Sequence, residues 1–244
     1  MASWMTHLRI AGELLERIPN LDAAQFGIGN IAPDAGVPDE NWKHFDPPPN
    51  VTHYSSGKNH RGRYIRDLDY YRQFDDALAP GSPDARQRAF LLGYFFHLLT
   101  DRLFDAYIWS LPGPDIRSLS EVDRKQLIKT IREEWQSIDQ IYVRDHPEAF
   151  FWTVFVDALY AGDYLPFLPA AAIQTRVELL QDIYQRKDAR AQALYALKLE
   201  YFSSHLISDF VQQTSQELYT IYDHIWNQRV DLGQQDSALF LLEA

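Results

Sequence analysis

Apolar residues recur at three- and four-residue steps through most of the chain, the spacing of one face of a helix. Leu8, Ala11, Leu14, Leu15 and Ile18 predict a helix over 6–18, with Thr6 as its N-cap and Pro19-Asn20 as its stop. A short helix is expected over 22–29. From 31 to 63 the periodicity fails. Pro33, Pro38, Pro47, Pro48 and Pro49 predict a long irregular segment, anchored by Trp42, Phe45 and Tyr54. A helix over 64–78 follows, broken by Pro80-Gly81-Ser82-Pro83. The stretch 84–109 carries Phe90, Leu91, Tyr94, Phe95, Leu98, Leu99, Leu103 and Phe104. It is apolar nearly all round, which predicts a central helix closed by Pro112-Gly113-Pro114. Helices are expected over 121–142, 147–159 and 174–185. The stretch 189–228 reads as two helices or one kinked helix, and only 238–242 alternates as a strand would. The pattern predicts an all-α bundle forming one domain over 1–244, with no internal repeat.

Composition narrows this. At 46% apolar and 23% charged residues, the chain can bury an ordinary core. A net charge of -11 lacks the overall basic footprint of a duplex DNA binder and disfavours docking on an anionic membrane. With no cysteine, a metal could be held only by His, Asp, Glu or backbone groups. No apolar run is long enough to span a membrane, and Met1 to Arg9 has no signal-peptide pattern, so the expected location is the cytoplasm.

The sharpest chemical signal lies in the central helix: Ala89-Phe90-Leu91-Leu92-Gly93-Tyr94-Phe95-Phe96-His97-Leu98-Leu99-Thr100-Asp101. His97 and Asp101 are one helical turn apart and share a face, on which Asp105 follows. Two ionisable groups in an apolar run need partners; they can hydrogen-bond each other or grip one cation. Three further residues stand in suggestive contexts. His7 follows Thr6 at a helix start, Asp34 ends the turn Asn30-Ile31-Ala32-Pro33-Asp34, and His53 sits in Val51-Thr52-His53-Tyr54. Each has a plain structural reading: an exposed His, a turn Asp and a satisfied core His.

Taken in order, Thr-His-Leu, a small-residue turn ending in Asp, Thr-His-aromatic and the Ala-Phe-x-Leu-Gly-x-x-x-His-x-Leu-x-Asp stretch resemble the zinc-dependent phospholipase C family, to which the single-strand-specific zinc nucleases are related. The resemblance covers roughly 4–105. It implies an all-helical fold with zinc ions deep in a cleft, and hydrolysis of phosphoester bonds. It implies that Asp34, His53 and His97 ligate one zinc, that Asp101 bridges to a second, and that His7 ligates the second together with the amino-terminal residue. Two such ions can share a hydroxide nucleophile, and Asp34 could orient or deprotonate the water. Iron or manganese could take the same ligands.

The sequence departs from the family in places. Trp4 is not terminal; with the initiator Met removed, Ala2 would lead the chain, five residues before His7. No His follows Asp101 closely. A third zinc would need Asp105 with His205 and Asp209, which otherwise form an ordinary polar pair on a helix. The basic patch Lys58-Asn59-His60-Arg61-Gly62-Arg63 could bind substrate phosphate through His60 and Arg63, or be a solvated loop. The expected activity is metal-dependent hydrolysis of a small phosphoester or a phospholipid headgroup. A non-catalytic metal-binding scaffold or interaction module, and a nuclease, nucleotidase or other metallohydrolase, are the alternatives.

Overall fold

The computed structural model describes residues 2–41, 43–59, 62–110 and 120–243, with the backbone alone at 57–59, 62, 63, 109 and 124. It is all-α apart from two small hairpins. In chain order, α1 (Trp4–Leu15), α2 (Ala23–Gly29) and a 3-10 turn (Ala32–Asp34) lead into strands β1 (Val37–Pro38) and β2 (Phe45–Asp46). Next come α3 (Pro49–Thr52), strands β3 (Ser55–Asn59) and β4 (Gly62–Ile65), α4 (Asp67–Gln73) and α5 (Asp75–Leu78). The long helices α6 (Ala85–Ser110) and α7 (Glu121–Asp145) follow, then α8 (Phe150–Thr153), α9 (Ala170–Gln185), α10 (Ala189–Tyr195) and α11 (Ser204–Tyr222).

The central position expected of α6 is observed: Phe90, Leu91, Leu92, Tyr94, Phe95, Leu98 and Leu99 have no exposed surface. Its tightest neighbour is α2. A Cβ on Gly93 would lie 2.2 Å from the Phe26 carbonyl oxygen, and one on Gly29 would lie 2.1 Å from that of Phe90. Only residues without side chains let the two backbones approach this closely. The contact fixes the end of α2, and with it Asn30, against the face of α6 that carries His97.

Helix α1 packs Met5, Leu8, Ile10, Ala11 and Leu14 into the core. Its cap is Ser3, not Thr6: the Ser3 hydroxyl accepts from the Thr6 amide, so the helix starts three residues earlier than its apolar spacing predicted. Three other expectations change. The irregular stretch contains the β3–β4 hairpin, whose ladder pairs Ser55 with Ile65 and Ser56 with Tyr64, so the helix expected from 64 begins at Asp67. A polar Ser-Ser-Gly-Lys-Asn strand shows no hydrophobic alternation because β4 satisfies its backbone from one side. The helix expected over 147–159 is one turn of α8 followed by a 3-10 turn. Residues 238–242 form a 3-10 turn whose Ala238 amide donates to the buried Asp67 carboxylate.

Helix α7 is pinned by a buried carboxylate of its own. Glu134 on α7 has no exposed surface and accepts from the amides of Glu200, Tyr201 and Phe202 at 2.7, 2.9 and 2.9 Å. This ties α7 to the turn that precedes α11.

Candidate metal centre

Four elements deliver His7, Asp34, His53, His97 and Asp101 to one place. His97 and Asp101 project from the same face of α6, with His97 Nε2 3.7 Å from Asp101 Oδ2. His7, on the first turns of α1, stacks on His97 with ring centroids 4.0 Å apart, and its Nε2 lies 3.5 Å from Asp101 Oδ1. His53, at the end of α3, places Nε2 3.4 Å from His97 Nε2, 3.4 Å from Asp34 Oδ1 and 3.7 Å from Asp101 Oδ2. Asp34 comes from the 3-10 turn after α2.

The hydrogen bonds on the far side of each ring fix how it is turned and, for His97, which nitrogen carries the proton. His97 Nδ1 is 2.8 Å from the Asn30 carbonyl oxygen, which can only accept, so Nδ1 donates and Nε2 is a bare lone pair. His53 Nδ1 lies 3.1 Å from the Pro49 carbonyl oxygen and 3.0 Å from the Thr52 hydroxyl, which turns its Nε2 toward Asp34 and His97. The Nε2 atoms of the two rings therefore face each other across 3.4 Å, with carboxylate oxygens beside them. Both ring nitrogens of His7 and Oδ2 of Asp101 are buried with no hydrogen-bond partner. Such an arrangement is costly unless a cation lies among these atoms.

The spacing fits a metal. Donor atoms about 2.0–2.2 Å from a tetrahedral zinc lie roughly 3.3–3.6 Å apart. The contacts of 3.4, 3.4 and 3.5 Å fall in that range, and they are too long for good hydrogen bonds. Among the described residues, two sets of three side chains could each hold an ion: His7, His97 and Asp101, and Asp34, His53 and His97. The Asn30 and Pro49 carbonyls play the orienting part that outer partners play for metal-bound imidazoles.

The electrostatics agree. Burial, joined by repulsion from His7 and His53, pushes the His97 pKa down to about 3, so its ring is neutral and able to ligate. Burial alone would raise both carboxylates. For Asp34 the close contact with His53 and the field of its histidine neighbours outweigh burial, and hold its pKa below the usual carboxylate range. Asp101 is likewise held below that range by neighbouring positive charge, His7 and His97 included. Both are anions ready for a cation.

The centre is closed at one end and open at the other. The side chains of His7, His97, Asp101 and His53 are at most 2% exposed, against 13% for Asp34. Asp34 is also the ligand held from outside: Trp4 Nε1 donates to its Oδ2 at 2.8 Å. The backbone nitrogen of Ala2 donates to Asp101 Oδ1 at 3.0 Å in a buried contact. The sequence had raised Ala2 as a leading residue near His7, but the bond from Trp4 to Asp34 was invisible in it, because Trp4 belongs to no ligand motif.

The outlying candidates lie outside the two sets. His205 and Asp209 contact each other at 3.1 Å on α11, with side chains 83% and 60% exposed. Neither they nor Asp105 on α6 joins a three-ligand set among the described residues. His60 and the side chain of Arg63 lie outside the described residues; the Arg63 backbone belongs to β4.

Residues 6–104 match the family model described as Zinc dependent phospholipase C. The resemblance read from the sequence holds over that segment, which contains all five clustered side chains. No curated protein and no solved structure matches the chain. The family match and the two His/Asp sets together support a metal-dependent hydrolase. Among the described residues no helix is long and apolar enough to cross a membrane.

Proposed function

We propose that this protein, acting as a single domain, hydrolyses phosphoester bonds in the manner of a phospholipase C, with two metal ions held by His7, Asp34, His53, His97 and Asp101. The carrying observation is the convergence of Nε2 of His53 and Nε2 of His97 on one space beside the carboxylates of Asp34 and Asp101. His97 has a single free nitrogen, so it serves one ion. Asp34, His53 and His97 would hold that ion, and His7 with Asp101 would hold the second. An α-amino group at the position of the Ala2 nitrogen would add a nitrogen ligand beside Asp101.

Zinc, iron or manganese ions bound there supply a hydroxide at neutral pH and neutralise charge developing on the phosphoryl oxygens. The protein fixes the geometry. Asn30 and Pro49 lock two imidazoles, and Trp4 locks Asp34 at the open side. A carboxylate held so firmly in its anionic form is a weak base, so Asp34 acts mainly by orienting the attacking water. A small phosphoester or a phospholipid headgroup suits this single open side.

The test is turnover of p-nitrophenyl phosphate, bis-p-nitrophenyl phosphate and p-nitrophenylphosphorylcholine by protein reconstituted with each metal, beside His97→Ala. Hydrolysis of at least one ester by the wild type and none by the variant is expected. Stoichiometric metal with no turnover of any ester would leave a metal-binding scaffold instead.

A further inference from the structure

Arg176 lies on α9, far along the chain from the five clustered side chains. Its residue surface is only 6% exposed, yet no carboxylate lies within ion-pair distance among the described residues. Its only hydrogen bond there is a 3.4 Å contact from Nη2 to the Gly36 carbonyl oxygen. The guanidinium carbon sits 5.2 Å from the centre of the Trp4 ring, whose Nε1 donates to Asp34. Arg176 also feels the charge of Asp34. The other well-buried arginine, Arg88, is better partnered: Nε donates to the Leu78 carbonyl at 3.2 Å and Nη2 to the Tyr222 hydroxyl at 3.3 Å.

A guanidinium has five N–H donors and stays charged at any working pH. The Nε and Nη1 groups of Arg176 make no hydrogen bond to the protein among the described residues and keep contact with solvent, so they are free to meet an anion that reaches them. Arg176 stands next to Asp34, the most exposed of the five clustered side chains. A phosphoryl group entering on that side meets Arg176 as it reaches the centre. Trp4 links the two, since one ring carries the guanidinium over its face and orients Asp34 through its N–H. The chain as a whole carries -11, so a buried cation here is a local exception suited to an anionic group.

We propose that Arg176 is an anion-binding residue of this site, which grips the non-bridging phosphoryl oxygens of the substrate through its guanidinium fork. The proposal rests on the phosphoester reading above, but it makes a claim about binding that can fail separately.

The test titrates inorganic phosphate into metal-loaded wild type, Arg176→Met and Arg176→Lys by calorimetry, with metal content and circular dichroism measured on each. The expected result is a loss in phosphate affinity of about 10- to 100-fold in Arg176→Met. Arg176→Lys, which keeps the charge without the fork, should fall in between, with metal content unchanged in both. Equal phosphate affinity in the wild type and a folded Arg176→Met protein would overturn the proposal, as would a wild type that binds no phosphate. Should Arg176→Met not fold, the Lys variant decides: unchanged affinity there counts against the fork. A wild type that binds phosphate through Arg176 but hydrolyses no ester would sink the catalytic reading and leave this one standing.

Discussion

Two buried polar centres in this molecule solve opposite problems. Glu134 on α7 has no exposed surface, and three backbone amides converge on its two oxygens. In the His7–Asp34–His53–His97–Asp101 cluster, buried except at Asp34, nitrogens and carboxylate oxygens face one another. Backbone donors complete the first centre; in the second Trp4 and the Ala2 nitrogen serve Asp34 and Asp101, but both His7 nitrogens and Oδ2 of Asp101 stay unpartnered. A buried polar group that the fold satisfies is structural, and a converging set that it leaves unsatisfied is a place for a ligand.

Exchanging the two roles by mutation gives the largest expected effects. His97→Ala or Asp101→Asn should abolish phosphoester hydrolysis, by on the order of a thousandfold or more in kcat/KM. The metal-free fold should keep its melting temperature or gain slightly, because unsatisfied lone pairs are removed. A large loss of stability in the metal-free variant would show that the cluster is a structural network instead. Glu134→Ala should do the reverse. It orphans three amides, that of Phe202 buried and those of Glu200 and Tyr201 partly so, and should cost about 2–4 kcal/mol in urea unfolding, while the folded fraction binds metal as before.

Gly93→Ala sharpens the comparison, because it acts on the support of the metal centre rather than its ligands. The new methyl would meet the Phe26 carbonyl oxygen at 2.2 Å and push Asn30 away from His97. We expect a stability loss of about 2–3 kcal/mol and a metal affinity weaker by about 10- to 100-fold, read by chelator competition. Unaltered affinity would show that Asn30 does not hold the ring.

The smallest expected effect concerns Asp139, another buried carboxylate, which links α1 to α7 and α9. It accepts from the hydroxyls of Ser3 at 2.7 Å and Tyr184 at 2.9 Å. Burial pushes its carboxyl up to about 7, despite those hydrogen bonds and the charge of Arg9. With the folded value raised, its contribution is complete below the unfolded value near 4 and is lost as pH rises through about 7. Asp139→Asn lacks this term. Its stability relative to the wild type should improve by about 1–3 kcal/mol between pH 4 and pH 7, in urea melts along that range. A gap independent of pH would mean that Asp139 titrates normally.

The two centres were also unequally legible in the sequence. Helix α6 declared itself through its unbroken apolar run, and His97 and Asp101 by a one-turn spacing inside it. The order of His7, Asp34 and His53 pointed to the other side chains of the cluster, because the motif is local at each stop. What Gly93 does was hidden, since its reason is the approach of a helix more than sixty residues earlier. Glu134 read as one more charge on an amphipathic helix; its partners are backbone amides, which no residue type advertises. Trp4 and Arg176 were hidden for the same reason, as their roles exist only once α1, the turn after α2 and α9 meet. The β3–β4 hairpin was missed because its register rests on backbone pairing, with polar residues along much of β3.

The account turns on whether the converging lone pairs hold metal. Elemental analysis of the purified wild type beside His97→Ala and Asp101→Ala tests this directly. Two ions of zinc, iron or manganese per wild-type chain, lost in both folded variants, is the predicted result. A folded wild type that contains no metal, and takes up none on dialysis against any of the three, would contradict it.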